Sequence, residues 1–278
     1  MKNLNNAVAV VTGAGSGIGR HLSLKLADAG ASVAISDINI DALKETESLL
    51  QSKGVKVVAR QLDVSNREAV FEYALQTEAD FGKVNLVINN AGVLLSSGTF
   101  RDTSIDDFEW LMSINFSGVL YGTKAFLPIL DKAEWGHIVN ISSLFGLIGV
   151  QEQSSYNASK FAVRGMTESL RQELDEQQSS VSCTSVHPGG IKTSIASNAR
   201  VSIELNEDMR KLKDNFEAMA MTTPDSAAEQ IINAVHKNKR RLVIGIDAKF
   251  LDLVQRLLPN HYQKCFNWIV NRELAKQS

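Results

Sequence analysis

The strongest constraint in this chain is a rhythm. Short apolar runs at 7–12 (AVAVVT), 32–36, 55–62, 84–89, 137–142 and 181–187 alternate with stretches of helical spacing, and a last run, RLVIGI, follows at 241–246. Runs this short and continuously apolar read as strands buried on both faces. Strands separated by helices form βαβ units, so the chain is expected to build a mostly parallel, doubly wound sheet of seven strands with helices on both faces, an α/β fold. With 278 residues, 44% hydrophobic and 22% charged, there is enough apolar material for one large core. No linker or repeat interrupts it. We read 1–278 as a single domain, with a cofactor-binding half at about 5–150, a catalytic and substrate-binding half at about 137–246, and a C-terminal helical extension at about 247–278.

Local signals punctuate the pattern. Ile18, Leu22, Leu26 and Ala29 recur at helical spacing, and Gly30 suits the end of that helix. Ser65-Asn66-Arg67-Glu68 has the form of a capping box. A long helical stretch is expected from about Ser104, another over 156–176, and an amphipathic one over 204–221. Thr223-Pro224-Asp225 combines an N-cap with proline at the first helical position. Helices over 248–258 and 261–274 are expected on either side of Pro259.

Between the first strand and first helix lies Thr12-Gly13-Ala14-Gly15-Ser16-Gly17-Ile18-Gly19. Its spacing is G-x-x-x-G-x-G, through Gly13, Gly17 and Gly19. Glycines permit a tight turn and close backbone approach, and a helix N-terminus offers free N–H groups and a positive dipole end to a pyrophosphate. A glycine turn that only reverses the chain is the plainer alternative; its place inside a βαβ unit favours the ligand. Asp37 closes the second strand 18 residues after Gly19, where a carboxylate can accept from ribose hydroxyls and repel a 2′-phosphate. No arginine or lysine stands in Ser36-Asp37-Ile38-Asn39, which favours NAD over NADP. Asp63-Val64 and Asn89-Asn90-Ala91-Gly92 follow the third and fourth strands, at the sheet edge where such folds bind ligands.

Tyr156 and Lys160 stand four residues apart, on one face of a helix. An ammonium beside a phenol favours the phenolate and is expected to lower the phenol's pKa toward a useful acid/base. Ser143 follows the fifth strand, 13 residues before Tyr156, and its hydroxyl can hold a substrate oxygen beside the phenol. Taken singly, each of these also reads as a packed surface pair or a helix cap.

Together with TGAGSGIG (12–19), Asp63, NNAG (89–92), Asn115, and Pro188-Gly189 followed by Thr193, these residues occur in the order and spacing of the short-chain dehydrogenase/reductase family, which the chain resembles over about residues 5–195. The resemblance implies a Rossmann fold and a catalytic set of Asn115, Ser143, Tyr156 and Lys160. Tyr156 is then the general acid/base, Lys160 tunes it and holds the nicotinamide ribose, Ser143 polarises the carbonyl, and Asn115 kinks a helix and holds a water leading to the lysine. It also implies a cofactor site of Gly13, Ser16, Gly17, Ile18, Gly19, Asp37, Asp63, Val64, Asn90, Ala91, Gly92, Tyr156, Lys160, Pro188, Gly189, Ile191 and Thr193. The expected activity is NAD-dependent interconversion of an alcohol and a carbonyl, without a metal, by a homodimer or homotetramer joined through the helices carrying Asn115 and Tyr156.

Leu94, Leu95, the run 145–150 (FGLIGV) and the apolar residues of 193–221, including Ile195, Leu205, Met209, Leu212, Phe216, Met219 and Met221, suggest a pocket for a small hydrophobic alcohol or ketone; the same residues also suit simple packing of a lid. The tail from Phe250 to Val270 is rich in apolar residues flanked by Lys249, Arg256, Lys264 and Arg272. It fits packing on the chain's own pocket or a neighbouring subunit, peripheral contact with a membrane surface, or ordinary domain packing. No run is long enough to span a bilayer, no signal peptide is recognisable, and Cys183 and Cys265 form no metal or disulfide pattern. A cytoplasmic protein is expected. A net charge of −2 suggests no nucleic-acid partner. Two rivals remain: a cofactor-binding sensor or scaffold without turnover, which has no need of Ser143, Tyr156 and Lys160 together, and a methyltransferase, which has no use for the YxxxK pair.

Overall fold

The computed structural model describes residues 2–96, 98–195, 197–201, 221–264 and 266. In chain order the elements are β1 (Val8–Thr12), α1 (Gly17–Asp28), β2 (Ser32–Asp37), α2 (Ile40–Gln51), β3 (Val57–Gln61), α3 (Arg67–Phe81), β4 (Leu86–Asn89), β5 (Leu95–Ser96), α4 (Ile105–Met112), α5 (Gly118–Leu130), β6 (Gly136–Ile141), α6 (Ser154–Glu176), β7 (Val181–Pro188), β8 (Arg200–Val201), α7 (Pro224–His236), β9 (Arg241–Ile244) and α8 (Ile246–Leu257). Seven strands form one parallel sheet in the order β3-β2-β1-β4-β6-β7-β9, and β5 and β8 pair beside it.

Alternation along the strands explains why the runs are apolar throughout. Ala9, Val11, Val33, Ile35 and Ile88 face α1, α2 and α7 through Leu22, Leu26, Leu43 and Ile231. Val8, Val10, Ala34, Val87 and Ile138 face α3, α5 and α6 through Val70, Phe126, Leu130 and Leu174. Both faces are covered, as a parallel sheet requires. The order reverses between β1 and β4, where connections leave in opposite directions and open a crevice at the strands' C-terminal ends.

The local signals resolve with some corrections. Gly30 ends α1 as expected, with the amides of Gly30 and Ala31 closing back on Ala27 and Leu26. The capping box does not form. Asn66 is the cap of α3, accepting from the Ala69 amide at 3.0 Å, while Ser65 bonds to Asp63 and Glu68 pairs with Arg67. Asn66 sits one residue nearer the helix and its side-chain oxygen reaches the third amide. The stretch from Ser104 is helical without interruption over 105–130, as expected, with a π-helical segment, Ser113–Ser117, joining α4 to α5. Thr223 caps α7 with Pro224 at its first position. The last strand stops at Ile244, because Gly245 takes φ +101° and α8 begins at once. Nearly all of the helix expected over 204–221 lies outside the described residues, as do Cys265 and the tail from 267; Met221 is outside any helix and exposed.

Candidate active site

The glycine turn folds as a cradle held from two sides. Gly13 has φ +65°, and a Cβ there would lie 2.8 Å from the Ala91 Cα; at Gly19 a Cβ would lie 2.1 Å from the Gly13 carbonyl. No larger residue fits either place. The NNAG segment locks onto this turn: Asn90 Nδ2 donates to the Thr12 and Gly13 carbonyls at 3.0 and 3.1 Å, and Thr12 Oγ1 accepts from the Asn90 and Ala91 amides, each at 3.1 Å. Asn89 points the other way, buried, and ties β4 to Asn140 of β6 and Thr123 of α5. Ser16 begins α1 without a side-chain capping bond, so the first-turn amides at Gly17, Ile18 and Gly19 are left for a ligand. Thr193 faces them, since a Cβ on Gly17 would meet its Cγ2 at 3.1 Å.

Asp37 ends β2 beside this turn. One carboxylate oxygen accepts from the Gly15 amide and the other from the Asn39 amide, both at 2.9 Å. The nearest guanidinium along the turn, Arg20, is engaged with Glu45 at 2.9 Å, with Thr46 and with the Gly15 carbonyl. Asp63 is exposed and spends one oxygen on Ser65. Val64 turns its side chain against Gly118 of α5. Pro188 ends β7, and the amides of Gly189 and Gly190 are held by the Ile244 carbonyl and by Asp247 at 2.8 Å each. Ile191 bridges to Thr222, which sets the segment leading to Thr193. The residues present fit a dinucleotide: a glycine cradle that leaves the backbone approachable, the first-turn amides of α1, and a carboxylate ending β2 beside the turn.

At the same edge Ser143, Tyr156, Lys160 and Asn115 converge. Ser143 leaves β6, accepts from the Phe145 amide at 3.1 Å, and stands close enough to the Tyr156 phenol to act on its proton affinity. Lys160 Nζ is 5.6 Å from the Tyr156 ring centre and donates to the Ile141 carbonyl at 3.1 Å. Asn115 sits at the centre of the π-helical segment with its amide clamped to the Val93 backbone, at 2.8 and 2.9 Å. A Cβ on Gly92 would touch both Asn115 Oδ1, at 3.2 Å, and Lys160 Nζ, at 3.4 Å, so the three residues share one small space. Burial dominates the electrostatics. It pushes the phenol up to about 12 against the opposing Ser143 hydrogen bond, and holds the lysine down at about 8. The expected lowering of the phenol by Lys160 is therefore not present: the ammonium is turned to a carbonyl, and desolvation of the phenolate outweighs it.

Four positioning residues escape sequence reasoning. His187 is buried, with its two nitrogens at 3.1 Å from the Ser143 carbonyl and 3.0 Å from Ser185 Oγ. Asn157 binds the Phe145 and Ile148 carbonyls and the Val150 amide, which pins the loop between Ser143 and Tyr156. Tyr262 Oη accepts from the Gly149 amide at 2.9 Å, and Asp247 holds Gly190. Asn157 lies inside the YNASK run and His187 directly before Pro188, so proximity to a motif was a usable signal for both; no local pattern marks Tyr262 or Asp247. Leu95, Phe145, Leu147 and Ile148 pack with Tyr156, Ala248 and Leu251 in a third cluster, with Val93, Leu94 and Val150 partly exposed at its margin.

A doubly wound sheet whose glycine cradle and Ser–Tyr–Lys group meet at one edge defines a nucleotide-binding oxidoreductase fold. The chain belongs to the short-chain dehydrogenase family, whose pattern matches residues 7–204. It is 46% identical over 265 residues to the putative oxidoreductase SadH of Mycobacterium tuberculosis, covering 95% of both chains. It is 34% identical over 260 residues to epidermal retinol dehydrogenase 2 of Mus musculus, covering 93% of this chain and 80% of that one. Among solved structures it resembles a short-chain dehydrogenase/reductase from Burkholderia phymatum in complex with NAD, with TM-score 0.86 and 29% identity over 92% of this chain and 95% of that one. Among the described residues, no helix is long and apolar enough to cross a membrane.

Proposed function

We propose that this oxidoreductase interconverts an alcohol and a carbonyl on a small, largely apolar substrate, with NAD as cofactor and Tyr156 as general acid/base. The observation that carries the reading is the meeting of Ser143, Tyr156, Lys160 and Asn115 beside the glycine cradle. Bound NAD supplies the hydride acceptor and, reduced, the donor. The chain's own work is placement and proton transfer. Ser143 Oγ orients the substrate oxygen against Tyr156 Oη. In reduction the phenol gives its proton to that oxygen; in oxidation the phenolate takes it back. A phenol held up at about 12 is fully protonated at neutral pH and therefore poised as the acid, so reduction is favoured near neutrality and oxidation gains as pH rises. Lys160, charged below about pH 8, holds its ammonium 5.6 Å from the centre of the phenol ring, on the side of the site where it can offset developing phenolate charge, and leaves its remaining N–H bonds for a ribose.

Preference for NAD rests on Asp37 and on the engagement of Arg20 by Glu45. The apolar substrate rests on Val93, Leu94 and Val150 at the margin of the Tyr156 cluster, and the similarity to a protein named for retinol is in keeping with it. Assembly as a homodimer or homotetramer through the helices carrying Asn115 and Tyr156 belongs to the same reading; Phe161 on α6 is 41% exposed. The test is NADH formation or loss at 340 nm across a panel of apolar alcohols and ketones. Tyr156→Phe is expected to lower kcat by about 10²–10⁴ while NADH still binds; near-wild-type turnover in that variant overturns the role.

A further inference from the structure

Helix α8 is apolar on two sides, and only one is covered. Ala248 and Leu251 are 0% and 5% exposed and join the cluster around Tyr156. Ile246, Phe250, Leu253 and Leu257 recur at intervals of four, three and four. At about 100° per residue they fall in one sector of about 60° on the opposite side. They are 78%, 50%, 55% and 69% exposed. A surface helix ordinarily carries its polar residues there. Met221, 67% exposed, extends the stripe beyond the Ile246 end.

Charge distinguishes this stripe from a bare apolar face. Alongside it, between α7, β9 and α8, runs a groove of about 550 Å³ lined by Lys239, Arg241, Lys249 and Arg256. Its carboxylate, Asp252, is bound by Arg241 at 2.6 Å and Arg256 at 3.3 Å. The helix's other carboxylate, Asp247, is turned inward to the Gly190 amide. A local excess of cations thus flanks the stripe in a chain whose net charge is −2. A symmetric contact with a second copy would set the same cationic groove against itself. A bilayer bearing anionic headgroups matches both halves, taking apolar side chains into its interfacial zone and phosphates against the lysines and arginines.

We infer that α8 docks the protein on anionic membrane surfaces, with Ile246, Phe250, Leu253 and Leu257 inserted and Lys249 and Arg256 at the phosphate level. The buried side of the same helix packs on the loop beside Tyr156, so docking brings that loop to within about one helix diameter, ~10 Å, of the lipid surface; resting on the apolar-substrate reading above, that nearness suits substrates drawn from lipid. The test is sedimentation of the full chain with vesicles of phosphatidylcholine alone or with about one-third phosphatidylglycerol. It needs neither turnover nor cofactor, so failure of the proposed activity leaves its result intact. The inference expects the chain to pellet with the anionic vesicles and not the neutral ones, with at least a tenfold loss of binding in Phe250→Glu/Leu257→Glu and in Lys249→Glu/Arg256→Glu, each variant keeping the wild-type circular dichroism melt. Equal recovery with neutral and anionic vesicles overturns it. So does a change in solution mass on Phe250→Glu/Leu257→Glu, which assigns the stripe to a second copy instead.

Discussion

Asp37→Ala separates a cofactor contact from a structural brace. Hydrogen bonds to a charged acceptor contribute about 1.5–3 kcal/mol, and each 1.4 kcal/mol is about tenfold in affinity. Losing the ribose contact should therefore weaken NADH by about 10–100-fold. For NADPH the same change removes a carboxylate lying against a phosphate. Unit charges about 4 Å apart at an effective dielectric near 20 interact by about 4 kcal/mol. Asp37 is half-buried, and solvent screening reduces that to about 1–2 kcal/mol. NADPH is therefore expected to bind about 5–30-fold more tightly. The complication is local: Asp37 also accepts from the Gly15 and Asn39 amides. A loosened turn would weaken both cofactors alike. Asp37→Asn keeps an oxygen for Gly15 and removes the charge, so it isolates the electrostatic part. Fluorescence titration of NADH and NADPH against wild type and both variants reads the ratio without a substrate. Equal losses for the two cofactors in both variants would refute a ribose contact and leave Asp37 as a brace.

Gly19→Ala places a Cβ 2.1 Å from the Gly13 carbonyl, backbone that cannot yield; NADH affinity should fall by at least about 100-fold with a stability loss of about 1–3 kcal/mol, and unchanged binding would argue against the cradle. His187 is held neutral, down at about 3, by burial. The unfolded chain takes up a proton near pH 6.5, so its contribution to stability is complete above about 6.5 and is lost as pH falls toward 3. The loss is about 1.4 kcal/mol per pH unit, or about 2 kcal/mol at pH 5, and buried His137 adds in the same direction. Melting at pH 7.5 and 5.0 should show a smaller acid loss for His187→Asn than for wild type; identical losses would show that His187 does not report. Tyr262→Phe removes the bond to the Gly149 amide, about 1 kcal/mol, and should raise KM more than it lowers kcat. An unchanged KM would detach the C-terminal residue from the substrate loop.

Much of this was legible before folding because the decisive signals are local. Val8–Val11 is apolar at every position since both faces of its strand are covered, and that shows in four letters. The Gly13–Gly19 turn and the Tyr156–Lys160 pair are likewise marked by spacing alone. Where two local readings competed, geometry chose: Asn66 won the cap of α3 over Ser65. The helix after Ser104 takes a π-helical turn centred on Asn115, whose side-chain amide meets the Val93 backbone, 22 residues away in sequence.

The amino-acid order alone marked the seven strands of the main sheet, the glycine turn after the first of them, and which hydroxyl, phenol and ammonium are available; the β5–β8 pair it did not mark. Tertiary structure decided their company: β1 beside β4, Asn90 on the Gly13 turn, His187 beneath Ser143, and Tyr262 over Gly149. It also reversed the sign of the shift at Tyr156, since desolvation depends on every group packed around the ring and no spacing between two residues encodes it.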